Sequence, residues 1–442
     1  MTILNLLLVL VLPMYIYGST TNICNLISAG FTQTCSVLND QNIKCWGNND
    51  YGQLGLGFST GYIGKNLGTM GDNLNKIDFD SNNSTNIVSI ATSYSYNGYT
   101  CAISNYGILK CWGYGDEGNL GNINETVGKG YYEDGVLISD MGEKLPEVDL
   151  GTDVYTKDVQ IGYMHTCVLT YENRLKCYGY NSQGQLGLGN NDNYGKLLTD
   201  MGDNLPFVDF GDYEVVSYCV GSHHTCVLLF NNKMKCFGAN WYGMLGYGDT
   251  EDRGGTNSYV NDTLDFIDVG TDVTIIQISC GGYHTCVLLD DYSAKCWGYN
   301  YFGQLGIEST DNIGDGKDEM GDNLKTVNVC GESEEYEQNE YTTVWETSYE
   351  GDSCLIKKIY TSSYVTCLLF FSNEVACFGY NYYGQLGISS TANAVGDTYG
   401  SMGNNLERID FGNNYPLEMV LGAYHTCVLL DSLELKCWGF NS

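Results

Sequence analysis

The pattern of apolar and polar positions is clearest between Gly282 and Gly298. Val287, Leu288 and Leu289 form an apolar run, Asp290-Asp291-Tyr292 a polar turn, and Ala294-Lys295-Cys296-Trp297 a return segment. Two short β-prone runs around a tight polar turn predict a β-hairpin. The same pattern, with two cysteines ten positions apart, occurs seven times: Cys35 with Cys45, Cys101 with Cys111, Cys167 with Cys177, Cys226 with Cys236, Cys286 with Cys296, Cys367 with Cys377 and Cys427 with Cys437.

Two further blocks recur between the hairpins. Gly52-Gln53-Leu54-Gly55 is repeated at Gly184–Gly187, Gly243–Gly246, Gly303–Gly306 and Gly384–Gly387, with a weaker copy at Gly118–Gly121. Glycines at fixed offsets mark positive φ or a close approach of backbone. Met70-Gly71-Asp72-Asn73-Leu74 then recurs at residues 141, 201, 320 and 402, each copy followed by a short apolar strand; the fourth gap, around Val260 to Leu264, lacks the Met-Gly pair. From one first cysteine to the next, the periods are 66, 66, 59, 60, 81 and 60 residues. Each unit supplies about four strands. Seven stacked units bury faces that one unit cannot, which predicts an all-β chain forming a single seven-bladed β-propeller over residues 20–442. The period of 81 reflects one insertion, residues 330–354. Its acidic run Glu332 to Glu337 reads as a solvated loop, with Cys330 placed to bond Cys354. Only six gaps separate seven hairpins, so one blade is expected to be short or completed from the other terminus.

Composition narrows the function. The 442 residues carry 20 Lys and Arg against 53 Asp and Glu, a formal net charge of −33. That balance argues against nucleic acid and against charge-driven binding to anionic membranes. Fifty-six glycines, four prolines and 37 tyrosines suit a turn-rich β protein.

Residues 1–19 contain an apolar run, Ile3 to Leu12, then Pro13 and the small Gly18 and Ser19. The run is short for a membrane span and reads as a secretory signal, cleaved after Gly18 or Ser19, although no Lys or Arg precedes it. In the oxidising compartment this implies, the seven pairs are expected as disulfides, since residues 286 and 296 face one another across the hairpin. Buried free thiols are the alternative. Cys24, Cys219 and Cys280 are left over, so at least one is free, buried or paired between chains. The sequons at Asn82, Asn83, Asn124 and Asn261 are candidate glycosylation sites in polar inter-repeat segments.

The motifs Gly-x-x-His-Thr-Cys, Cys-Trp-Gly-x-Asn and Tyr-Gly-Gln-Leu-Gly, in this order, resemble the regulator of chromosome condensation repeat family. The resemblance runs from Cys24 to Asn441 and implies a seven-bladed propeller. The paired cysteines and the Met-Gly-Asp-Asn-Leu block are similar to a secreted, cysteine-rich branch of that family.

No catalytic constellation is present: there is no Gly-x-Ser-x-Gly, His-Glu-x-x-His or phosphate loop, so no catalytic residue, cofactor or metal ligand is nominated. His165, His224, His284 and His425 share one repeat position in different blades and read as structural, while His223 stands apart. Asp311, Asp315, Asp318, Glu319 and Asp322 crowd one loop, but Ile313 sits where an EF-hand oxygen ligand belongs, so a solvated turn is expected over calcium binding. Trp241, Tyr242, Tyr301, Phe302, Tyr382 and Tyr383 occupy equivalent loop positions and would form a ring on one face, as binding anchors or as packing between blades. The expected protein is a secreted or surface-exposed monomer and non-enzymatic scaffold that binds a protein or glycan through that face. The family resemblance supports an alternative, a guanine nucleotide exchange or regulatory factor for a small GTPase, which the leader and the cysteine pairs oppose. A glycan hydrolase or lyase has no nominated site.

Overall fold

A computed structural model describes residues 27–80, 85–122, 126–133, 136–256, 258–261, 263–330, 354–390 and 392–440. Seven antiparallel three-stranded units follow one another along the chain. In the fifth, Ile275–Cys280 pairs with His284–Leu289, which pairs with Ala294–Gly298. The turn between the last two strands places Tyr292 at φ 62°, and Asn173, Asn232 and Asn373 hold the same left-handed position in other blades. Asn tolerates that conformation best after Gly, so the repeated asparagine reflects the turn geometry.

The first strands of all seven units, Ile27–Ala29, Ile87–Thr92, Thr156–Ile161, Val215–Val220, Ile275–Cys280, Ile356–Thr361 and Pro416–Leu421, surround one central cavity of about 340 Å³. This is a seven-bladed β-propeller. The ring closes by direct contact of blades 1 and 7: Ala423 N donates to Gly30 O at 3.2 Å, and the rings of Phe31 and Tyr424 meet at 5.2 Å.

The structure refines the expected fourth strand. Instead of one outer strand, blades 1, 2, 5 and 6 carry short pieces or bridges at the two ends of the third strand, and blades 3 and 4 have a bridge at one end and one backbone hydrogen bond at the other. In blade 1, Tyr62–Ile63 pairs at Gly47 and Lys76–Ile77 pairs at Ile43. In blades 3, 4 and 5 single bridges at Gly179, Gly238 and Gly298 replace the first piece. On this outer edge the lysine of the third strand also binds the linker backbone. Lys176 Nζ donates to Leu150 O and to Gly202 O, at 2.5 and 3.2 Å, and Lys110 Nζ donates to Phe79 O and Gly142 O at 3.1 and 3.3 Å. Buried ammonium groups thereby satisfy carbonyls of the Met-Gly turn. Where the fourth gap lacks that turn, Lys235 binds the carbonyls of Val260 and Asn261 instead.

The two cysteines of every hairpin are directly opposed, with Cα–Cα distances of 4.0–4.1 Å, and all seven pairs are bonded. Cys35 is bonded to Cys45 in blade 1, Cys101 to Cys111 in blade 2, and Cys167 to Cys177 in blade 3. Cys226 is bonded to Cys236 in blade 4, Cys286 to Cys296 in blade 5, Cys367 to Cys377 in blade 6, and Cys427 to Cys437 in blade 7. The alternative of free thiols is thereby set aside for these positions. Cys45, Cys111, Cys177, Cys236 and Cys377, each on a third strand, are buried together with their partners, so these bonds lie inside the blade stack rather than on the surface. Cys437 differs, being exposed on the third strand of blade 7. Cys330 is bonded to Cys354, and the acidic run between them lies outside the described residues. Cys219 and Cys280, unassigned by spacing, are bonded to each other between the inner strands of blades 4 and 5. Cys24 and the leader lie outside the described residues, as do Asn82, Asn83 and Asn124. Asn261 is half-buried, and its Oδ1 accepts from Thr263 N and Oγ1, both at 3.1 Å.

Candidate functional site

Blade-to-blade contacts position the surface. After its third strand each of blades 1–6 sends a Gly-x-Leu-Gly linker over the next blade, with the leucine fully buried, as at Leu186, Leu245 and Leu305. In the linker, the carbonyl before the leucine accepts from a threonine of the next blade: Gln185 O from Thr225 Oγ1 at 3.0 Å, Met244 O from Thr285 Oγ1 at 2.8 Å, Gln304 O from Thr366 Oγ1 at 2.8 Å. Where the next blade carries a tryptophan, its indole N–H reaches the same carbonyl, as Trp112 does to Gln53 O and Trp297 to Met244 O, both at 3.2 Å.

The four repeated histidines complete this arrangement. His165, His224 and His284 Nε2 lie 3.1, 3.0 and 2.9 Å from Thr225, Thr285 and Thr366 Oγ1, and His425 lies 2.7 Å from Thr34. In the first three, the threonine gives its single proton to the linker carbonyl, so the histidine must donate from Nε2. Their Nδ1 atoms are buried without a partner. Burial lowers the histidines' pKa from 6.5 to about 3 at His165, His224 and His284 and to about 4 at His425. A neutral imidazole is therefore part of each of these four seams. The ring also explains the glycine three residues earlier, since a Cβ on Gly162, Gly221, Gly281 or Gly422 would sit 2.2–2.3 Å from the histidine Cε1. Where the ring is replaced by Tyr99 or Val365, the residue whose N–H bonds that residue's carbonyl, a glycine in the histidine blades, is Ser93 or Ser362.

This fixes a pH response. The folded pKa lies below the unfolded value, so the unfolded chain binds more protons at acid pH. The histidine contribution is complete above about pH 6.5 and is lost as pH falls toward the folded pKa. Between pH 7 and 5 each buried histidine costs about 2 kcal/mol. His284→Gln, which copies Gln33 of blade 1, is expected to shrink the fall in urea-unfolding free energy by that amount; an equal fall in both proteins contradicts the assignment.

On one end of the ring, the turns before the histidine position and the loops after the third strand converge. Tyr242 meets Tyr299 at 4.7 Å, Phe302 meets Tyr380 at 4.6 Å, and Tyr383 meets Tyr424 at 5.3 Å and Phe440 at 4.7 Å. Nearer the axis, His223 lies 5.0 Å from Trp241, and Tyr283 stacks on Tyr364 at 5.8 Å. The structure thus places the six aromatics singled out in the sequence on one continuous arc over blades 4–6. It adds His223, Tyr283, Tyr364 and Tyr424, whose signal is their place immediately before the histidine position, and extends the arc to Phe440 and Phe31. The rings pack between blades and also remain open: Trp241, Tyr301 and Tyr382 are 43%, 64% and 63% exposed.

The arc is uncharged. Residues 222–224, 239–243, 281–284, 298–303, 362–365, 379–384 and 423–425 contain no Asp, Glu, Lys or Arg, in a chain of net charge −33. Burial raises the pKa values of Tyr283, Tyr299, Tyr364, Tyr380 and Tyr424, so their hydroxyls remain protonated at neutral pH. The corresponding loops of blades 1 and 2 are acidic instead, with Asp50, Asp116 and Glu117.

The remaining candidates are dispersed. Glu319 accepts from Gly314 N and Gly316 N, both at 2.8 Å, and Asp322 accepts from Thr271 N at 2.7 Å. These carboxylates brace loop backbone in different directions. The sulfurs of Cys219, Cys226 and Cys280 lie within 4.8 Å of one another, but all three belong to disulfides.

Residues 25–53, 157–185 and 275–304 match the Regulator of chromosome condensation (RCC1) repeat. Three of the seven blades thus carry RCC1 repeats. Ultraviolet-B receptor UVR8 of Arabidopsis thaliana is 25% identical over 354 residues, 69% of this chain and 72% of its own length. X-linked retinitis pigmentosa GTPase regulator of Canis lupus familiaris is 33% identical over 153 residues, 34% of this chain but only 14% of its own length. Among solved structures, human WBSCR16 superposes with a TM-score of 0.62 at 16% identity, covering 92% of this chain and 86% of that one. Prp20p from Saccharomyces cerevisiae does so with a TM-score of 0.60 at 16% identity, covering 90% and 80%. At such identities the likeness concerns the RCC1-repeat propeller itself.

Proposed function

We propose that this RCC1-repeat propeller is an exported, disulfide-bonded, non-enzymatic scaffold that recognises a protein through the aromatic arc. The observation that carries the reading is an uncharged, partly exposed arc of Trp and Tyr on an otherwise acidic protein. Contiguous exposed aromatic surface marks interaction sites, and Trp and Tyr are the residues that most often dominate binding energy. An apolar centre beside acidic loops suits a partner with an apolar contact surface and a basic rim. Nine disulfides among the described residues and the apolar leader support export.

The test uses the full chain, expressed with its own leader, as bait for cross-linked partners. Trp241→Ala/Tyr301→Ala/Tyr382→Ala is expected to reduce partner recovery at least tenfold, and because Trp241 is more than half buried while Tyr301 and Tyr382 are largely exposed, the melting curve of the variant establishes that it is folded. Equal recovery by the triple variant overturns the reading. Loss of capture after enzymatic deglycosylation of the partner material identifies a glycan ligand instead.

A further inference from the structure

Blade 4 carries a third cysteine in the row of its hairpin bond. Cys219 of the inner strand directly opposes Cys226, which opposes Cys236, so the three stand in one line across the sheet. Directly opposed residues of antiparallel strands project to the same face. In the other blades the residue in the place of Cys219 is Ser28, Ala91, Gln160, Ser279, Tyr360 or Val420. Cys280, on the inner strand of blade 5, reaches the same face and is bonded to Cys219. All four cysteines belong to the core cluster that holds Leu245 and Trp297. Two disulfides therefore share one place in the fold, with the sulfurs of Cys219, Cys226 and Cys280 within 4.8 Å of one another.

The two bonds differ in access. Cys226 and Cys236 are fully buried, whereas Cys219 and Cys280 line the central cavity of about 340 Å³ and are each 6% exposed. A small thiol entering the cavity meets the bond between blades first. Disulfides exchange by attack of a thiolate on one sulfur, which releases the other as a new thiolate. Here a second disulfide lies beside the released sulfur and can accept it.

We propose that Cys219–Cys280 is a modification site for small-molecule thiols, and that Cys226–Cys236 behind it relays the exchange. The incoming thiolate bonds to Cys280 Sγ as the Cys219–Cys280 bond breaks, and the electron pair of that bond leaves on Cys219 Sγ. The Cys219 thiolate then bonds to Cys226 Sγ, the Cys226–Cys236 bond breaks, and Cys236 leaves as a thiolate that takes a proton from water. Two disulfides and one thiolate give two disulfides and one thiol, so the incoming thiol is the sole co-reactant. The register sets this direction, because Cys219 opposes Cys226 directly while Cys280 stands in the next blade. The product holds a mixed disulfide on Cys280 and a bond within blade 4 in place of the bond between blades. Cys219 and Cys280 stand four and three residues before His223 and Tyr283, so the exchange unties the two inner strands that lead into the arc.

The test exposes the folded, oxidised full chain to free cysteine at mildly alkaline pH, then alkylates the thiols and maps linkages without reduction. The expected result is a cysteine adduct on Cys280, a peptide cross-linked through Cys219 and Cys226, and alkylation of Cys236 at least tenfold faster than that of Cys296. Cys296 is as deeply buried as Cys236, but its partner Cys286 faces Ser279 rather than a third cysteine. Cys219→Ser/Cys280→Ser, established as folded by its melting curve, is expected to slow Cys236 to the rate of Cys296. Thiols at Cys219 and Cys280 with Cys226–Cys236 intact overturn the proposal. So do an adduct confined to Cys219, no reaction at the four cysteines, or equal alkylation of Cys236 and Cys296 in the native chain.

Discussion

Trp297→Ala is expected to cost about 3–5 kcal/mol of unfolding free energy, among the largest effects of any single substitution in the ring. Trp297 is fully buried in the core between blades 4 and 5, with Leu245 of the incoming linker, and its indole N–H is bonded to Met244 O. Gly246 follows that leucine at φ 78° so closely that a Cβ there would lie 2.6 Å from the indole nitrogen. With both backbones pinned by the disulfide-bonded hairpin and the linker, the cavity left by the indole has little means of collapsing. The same substitution at Trp46 removes a half-buried ring that has no hydrogen bond among the described residues and is expected to cost well under half as much. Denaturant unfolding of the oxidised proteins measures both; equal costs would show that linker insertion does not bind the blades together.

Removing the disulfide between blades is the second large effect. Cys219→Ala/Cys280→Ala opens a link of sequence separation 61, for which loop-closure entropy gives about 4 kcal/mol. Cys286→Ala/Cys296→Ala opens a separation of 10, which gives about 3 kcal/mol. The order matters more than either value. The seven hairpin bonds reinforce turns that strand pairing already holds, whereas Cys219–Cys280 ties two inner strands at the central cavity. Denaturant midpoints of the two double variants decide it, and a greater loss from the hairpin pair contradicts this ranking.

The blades are legible because a ten-residue cysteine spacing around a three-residue turn leaves one antiparallel register, in which Cys286 opposes Cys296. Their number follows from counting that pattern. The Cys219–Cys280 bond is not legible from either residue's own hairpin, since it depends on which inner strands become neighbours. Its signal is present nonetheless: the two cysteines stand seven and six residues before Cys226 and Cys286, nearly the same place in consecutive repeats. The burial of Lys110 and Lys176 stays hidden because both read as surface residues until the linker carbonyls they bind are seen. The loop aromatics Trp241, Tyr301 and Tyr382 are recognisable as equivalent positions, but Tyr283, Tyr364 and Tyr424 read as part of the histidine motif alone. Only the stacking of blades turns these two sets into one arc. The expectation of one short blade corresponds to blade 7, which has three strands and no outer pieces among the described residues.

An oxidised ring of opposed cysteine pairs carries the aromatic arc. Peptide mapping under non-reducing conditions, with free thiols alkylated before digestion of protein made with its own leader, tests it most directly. Cross-linked peptides joining Cys286 to Cys296, the six counterpart pairs, and Cys219 to Cys280 are expected. Alkylated thiols at Cys286 and Cys296 in the unreduced protein would contradict it.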